Sequence, residues 1–273
     1  MTDTASSEAR LGAATASGDR SGLVAVARLL FLALILALWQ GAVDAGLANA
    51  AFVSTPVSVV KSLWSLARDG EVFPNLGTTM LEIALAFLLS IVFGIASAIV
   101  LDRLDWLNRV VSPFLTAFNS MPRIALGPLF ILWFGIGIAS KVVLAFSLGY
   151  FIMLLSTLGG LKNVDRDLLL MSRLFGASGW GLFRHVRLPW ALPGIFAGLK
   201  LTLIYCSAGA VIGEMIAAKS GLGLMLQSLS GRFDVAGVMA LILIVALLVM
   251  AVTSLVDLAE RRLLAWSKGS TDV

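Results

Sequence analysis

Long apolar runs alternate with short polar stretches along the chain. A hydrocarbon core about 30 Å thick needs ~20 apolar residues at 1.5 Å of rise each. Five stretches reach that length: Leu23–Val43, Thr78–Leu101, Ser140–Leu161, Ile195–Ala217 and Val235–Leu258. A sixth, Val110–Ile138, is equally apolar but interrupted by Pro113, Pro122, Pro128, Gly135 and Gly137. Proline removes a helix hydrogen bond and clashes with the preceding turn. The sixth stretch is therefore expected as two short helices meeting near Met121–Pro122. Irregular backbone at membrane depth persists only where protein or a wet cavity satisfies it. That puts the broken segment at an interface or a pathway rather than against lipid. The expected fold class is an all-α integral membrane protein with six transmembrane helices, one of them broken.

Residues 1–22 are small and polar without a period, which predicts a disordered cytosolic tail. The apolar run that follows is too long for the core of a secretory leader. Composition agrees with a membrane reading. Apolar residues make up 59% of the 273 and charged residues 13%, against ~45–50% and ~25% in soluble domains. So few charges cannot coat a water-soluble fold of this size.

The 20 Lys/Arg residues are sorted along the chain. With the N-terminus inside, 14 fall in inner segments and 5 in outer ones, with Lys200 near the start of the fifth span. That asymmetry predicts both termini in the cytosol. Arg123 counts with the inner set and Lys141 with the outer set.

The chain offers little reactive chemistry of its own. His185 is the single histidine and Cys206 the single cysteine, so a histidine-based metal site or an internal disulfide is excluded. No phosphate-cradling G-x-x-x-x-G-K-[ST] loop and no H-E-x-x-H helix is present. Neither a cofactor nor catalysis within the chain is implied. Glu82 and Glu214 lie near the outer ends of their spans and are expected to reach interfacial water. Gly194–Gly198 and Gly209–Gly213 are small-xxx-small steps, suited to close packing within the bundle or between subunits.

The polar segment 162–194 stands apart by length and charge. Asn163 or Asp165 can cap a short helix in which Leu168, Met171 and Phe175 share a face, and Gly176 is placed to end it. A second short helix is expected over Trp180–Val186, before Pro189 and Pro193. The exposed apolar face needs cover from the protein's own helix ends or from a groove in a soluble partner, and periodicity allows both.

Residues 156–198 resemble the signature loop of binding-protein-dependent ABC importer permeases: Gly176, Ala177, Leu188, Pro189, Ala191, Pro193 and Gly198 match. The family's E-A-A positions correspond to Leu170, Met171 and Ser172, so the acidic residue is missing. Met121–Lys141 (MPRIALGPLFILWFGIGIASK), Glu214-Met215-Ile216 with Ser220-Gly221-Leu222-Gly223, and Ser54-Thr55-Pro56 with Val60 are similar to blocks of the nitrate/sulfonate/taurine branch.

The resemblance implies an ABC type I importer permease fold. Its organisation would be a tail over 1–22, a first transmembrane helix over 23–50, a permease domain over 51–266 with a coupling loop at 162–194, and a C-terminal tail over 267–273. It implies an inner-membrane pathway built by two permease copies, as a homodimer, and powered by two cytosolic ATPase subunits. A periplasmic or lipid-anchored binding protein would deliver a small solute. A sulfonate-, taurine- or nitrate-like anion ranks first and a pyrimidine-type precursor second. Coupling would fall to Asp167, Leu168, Leu170, Met171, Ser172, Arg173, Phe175, Gly176 and Ala177. Pro122, Pro128, Trp133 and Glu214 are the pathway candidates. The alternative is an ion-coupled secondary carrier, which would need ionisable partners at the span centres.

Overall fold

The structure, a computed structural model, describes residues 3–264; the C-terminal tail over 267–273 lies outside the described residues. Among the described residues every regular element is helical. Helix α1 runs Asp3–Asp44, and its apolar part is exposed over Leu23–Leu38 and covered near its end, where Val43 is buried. The backbone is thus helical from Asp3 onward, where irregular chain was expected. A short turn, α2 (Ala50–Val53), leads to α3 (Pro56–Asp69). Thr55 caps α3 by accepting from the Ser58 N–H at 3.1 Å, Pro56 opens it, and Gly70 closes it with φ 77°. Sequence reading missed α3, which is too short and amphipathic to register as a span.

Three long helices make the core. Helix α4 (Val72–Arg103) leads through the single residue Leu104 into α5 (Asp105–Ser120). A 3-10 turn, Arg123–Leu126, then precedes α6 (Gly127–Phe134), which bends 80° from α5. The bend falls at the expected Met121–Pro122 step. Helix α7 (Ile138–Lys162) lies between α4 and the helix that carries the fifth span.

Helix α8 (Arg166–Leu174) and α9 (Gly179–Leu182) follow. The chain then continues through a π turn, Phe183–Arg187, into α10 (Leu188–Ile216). The expected stop at Pro189 and Pro193 is corrected: residues 179–216 form one helical run. The wider turn, in which Leu188 N–H reaches the Phe183 carbonyl, absorbs the proline that follows it. Helix α11 (Leu222–Gly231) and α12 (Val235–Leu263) complete the chain, with Asp234 capping α12 through the Gly237 N–H at 2.9 Å. Five helices are long and apolar enough to span a membrane, and the bent α5–α6 pair makes a sixth.

Small residues set how closely α7 fits. A Cβ on Gly94 of α4 would sit 2.7 Å from the Met153 side chain, and one on Gly209 of α10 would sit 2.7 Å from the Ala145 Cα. Gly198 faces Ser156 and Gly194 faces Gly160 in the same way. Both small-xxx-small steps therefore pack α10 on α7 inside the bundle. Between apolar helices in lipid, this van der Waals fit replaces the hydrophobic drive available in water. Gly209→Leu is expected to destabilise the detergent-solubilised protein by about 1–3 kcal/mol through overpacking. Gly41→Leu, where a Cβ meets nothing within 4 Å, is expected to be neutral. Thermal unfolding of the two variants checks the contrast.

Candidate functional site

The loop after α7 presents a helix with an unsupported apolar face. Asp165 caps α8, its Oδ1 accepting from the Asp167 N–H at 2.8 Å. At the other end Gly176 takes φ 85°, with Gly176 N–H donating to Arg173 O and Ala177 N–H to Ser172 O, at 3.0 and 2.9 Å. This is a glycine-closed helix end, as the sequence predicts. Leu170 and Met171 are exposed, and Leu174 and Phe175 are each 87% exposed. Leu168 and Ser172 are half-buried, and Asp167, Arg173 and Gly176 are exposed. The open face is thus Leu170, Met171, Leu174 and Phe175. It is turned from the expected Leu168–Met171–Phe175 line and includes Leu174, which the sequence reading passed over.

The base of this loop is clamped to α4. Arg187 donates a two-pronged hydrogen bond to Asp102, at 2.7 and 2.8 Å, and a third bond to the Leu161 carbonyl at 3.2 Å. The next residue, Arg103, lies 4.8 Å over the Trp180 ring and 5.0 Å over Phe183, and the two rings stack on each other. Arg187 and Asp102 thereby join the starts and ends of α10, α7 and α4. His185 stays exposed, its Nδ1 3.1 Å from Gly181 O.

At the opposite end of α10 lies a buried polar cluster. Glu214 is fully buried and Glu82 is 2% exposed, so the expectation of interfacial water is corrected. Glu214 accepts from the Thr79 hydroxyl at 2.7 Å and the Gly223 N–H at 2.6 Å. Thr79 in turn accepts from Leu222 N–H, and Asn75 from Gly221 N–H. Together they fasten the 217–223 turn to α4. A Cβ at Gly221 would overlap the Glu214 carboxylate, and the φ of 122° there also calls for glycine. Lys141, counted with the outer loops, is buried instead. Its Nζ donates to the Ile136 and Gly137 carbonyls at 3.1 Å each, and its charge faces Glu82 and Glu214.

Pro122, Pro128 and Trp133 all lie exposed on the broken segment. Helix α5 buries no residue, and α6 buries Gly127 alone, against Ile216. Glu214 does not join the three exposed candidates, because its carboxylate is spent inside the cluster. Arg123 sits in the bend of this segment, half-buried, with its guanidinium 4.4 Å over Phe151.

The bundle thus has up to six apolar spans, an exposed glycine-closed amphipathic helix after α7, and a broken span that is mostly exposed. Residues 90–265 match the family described as the binding-protein-dependent transport system inner membrane component. The chain belongs to this family. It is 31% identical to the riboflavin transport system permease protein RibX of Chloroflexus aurantiacus over 235 residues, which are 86% of this chain and 88% of that one. It is 32% identical to the putative aliphatic sulfonates transport permease protein SsuC of Bacillus subtilis over 238 residues, covering 87% and 86%. A solved chain of the inward-facing MetNI methionine ABC transporter shares the fold, with a TM-score of 0.62 over 73% of this chain and 96% of that one at 22% identity.

The protein is thus a membrane-embedded permease subunit of the binding-protein-dependent ABC transport family, and the relatives named here are transport permease subunits. In this permease the buried Glu214 bonds hold the 217–223 turn. Leaving the buried Thr79 and Gly223 donors without an acceptor costs about 1–3 kcal/mol each. Glu214→Leu is therefore expected to lower the melting temperature well below that of Glu214→Gln, which keeps an acceptor for Gly223 N–H. Thermal scans of the two in detergent check the order.

Proposed function

We propose that this permease forms the pathway of an ATP-driven importer for a small anion of the sulfonate, taurine or nitrate kind. A second reading, a pyrimidine-type solute, is favoured by the likeness to the formylaminopyrimidine transport permease protein ThiX of Halalkalibacterium halodurans, 31% identical over 88% of this chain and 95% of that one. In this account two copies of the chain line the pathway, and the uncovered α5–α6 segment supports that pairing. Two cytosolic ATPase subunits drive it, and a binding protein delivers the solute outside. The chain lies in the inner membrane with α8 and both termini in the cytosol, in keeping with the distribution of Lys and Arg.

The single observation that carries the coupling role is the α8 face. Four apolar side chains stand in the open on a helix fixed at both ends, and the Arg187–Asp102 clamp makes its base stiff. Such a helix can hand a push from a docked ATPase to α4, α7 and α10 at once. Switching between inward- and outward-open states needs rigid elements that move as units. Leu170 at the family's acidic position makes the docking here more apolar.

Gly176→Asp is expected to abolish ATP-dependent uptake while membrane insertion stays normal. An aspartate there must hold a left-handed backbone that costs about 1–2 kcal/mol, and it puts charge at the end of the docking face. Uptake by the intact importer is expected to survive an ionophore and to vanish without the ATPase. Full uptake by Gly176→Asp contradicts the role given to α8. Uptake that ends with the ionophore but persists without the ATPase revives the ion-coupled carrier.

A further inference from the structure

Arg123 is an arginine inside the span region with no carboxylate to neutralise it. Its Nη1 donates to the Ser147 carbonyl at 2.9 Å, near the middle of α7, and its Nη2 donates to the Asn119 backbone and side-chain oxygens. All these acceptors are neutral, and so is the Phe151 ring beneath it. Nε is buried and has no partner. Charge at this depth is costly and persists where it faces an opposite charge or a wet path.

Among the described residues, no carboxylate pairs with Arg123. The described carboxylates within the spans are either buried or paired with another cation. Glu82 and Glu214 are buried beside Lys141, and Asp102 is bound to Arg187. Asp257 and Glu260 both pair with Lys200. The other acidic residues of the described segments precede the first span or sit at helix ends and in turns.

We infer that Arg123 is the pathway's anion contact: at the α5–α6 bend its half-open guanidinium meets the oxyanion group of the passing solute, such as a sulfonate. With Nη1 on the Ser147 and Leu148 carbonyls, Nη2 on Asn119 and Nε buried, what the guanidinium offers such a group is its uncancelled charge rather than a free pair of donors. The bend explains the placement. Breaking the helix at Pro122 lets the side chain leave the lipid-facing surface and lie along α7. Its hydrogen bonds to carbonyls then hold the charge in place without cancelling it. The inference rests on the reading of the chain as a passage for a small anion.

The neighbouring Asn119 offers a discriminating test. Asn119→Asp is isosteric and gives Arg123 an internal counter-ion. If Arg123 only braces the bend, this change is harmless or stabilising. If Arg123 meets the solute, the added carboxylate competes with it.

The assay is uptake of radiolabelled ethanesulfonate by the complete importer with its ATPase and binding protein. Asn119→Asp is expected to melt no lower than the parent and to keep its ATPase on purification, while uptake falls about tenfold or more. Arg123→Lys, which keeps the charge but cannot hold the Ser147 and Asn119 oxygens together, is expected to retain part of the uptake with a raised KM, and Arg123→Gln almost none. Unchanged uptake in Asn119→Asp or in Arg123→Gln overturns the inference while leaving the anion reading intact. A parent importer that takes up a neutral pyrimidine by ATP hydrolysis but no ethanesulfonate overturns the anion reading itself, and this inference with it.

Discussion

Everything in this permease depends on how closely α7 can lie between α4 and α10. Lipid tails are as apolar as leucine, so helices in a bilayer gain nothing by hiding apolar surface from it. What holds them is contact. Gly94 on one side and Gly194, Gly198 and Gly209 on the other let α7 approach to where a single added carbon would collide with backbone or side chain. The three-helix core is stiff for that reason, and stiffness lets two distant ends act together.

Each end of that core is closed by a different polar device. At the coupling end a bidentate Arg187–Asp102 pair ties α10 to α4, and Arg103 presses on the aromatic pair that begins the α9–α10 run. At the far end Glu214, Thr79 and Asn75 bind the backbone N–H groups of the 217–223 turn to α4. Helix α4 is therefore a strut clamped at both ends. It leads through one residue, Leu104, into α5 and the bend. In the proposed coupling, a displacement of α8 would reach the broken span through the Gly176–Ser178 turn, the Arg187–Asp102 clamp and Leu104.

Much of this was legible in the sequence, because lipid imposes simple rules. Span lengths, the break at Met121–Pro122 and the glycine stop at Gly176 each follow from local chemistry. The tertiary polar contacts were not legible. Asp102 and Arg187 are 85 positions apart, and no periodicity connects them. Glu214 looked interfacial because its place in the chain is near a span end; the returning turn that buries it is a tertiary event. Arg123 and Lys141 were assigned to opposite sides by loop position, yet both donate to backbone carbonyls of the bundle, Arg123 to Ser147 and Asn119 and Lys141 to Ile136 and Gly137. Leu174 was passed over because the expected helical face was anchored on Leu168, whereas the Asp165 cap and the Gly176 stop turn a neighbouring face outward.

The central claim is that α8 receives the thrust of an ATPase. Cross-linking from Phe175→Cys in a chain lacking Cys206 tests it most directly, since Phe175 is 87% exposed and Cys206 is buried. The account predicts that a short thiol-reactive cross-linker joins this position to the ATPase subunit in the assembled importer, with yield that changes when ATP is added. No cross-link to the ATPase in an importer that still accumulates solute would contradict it.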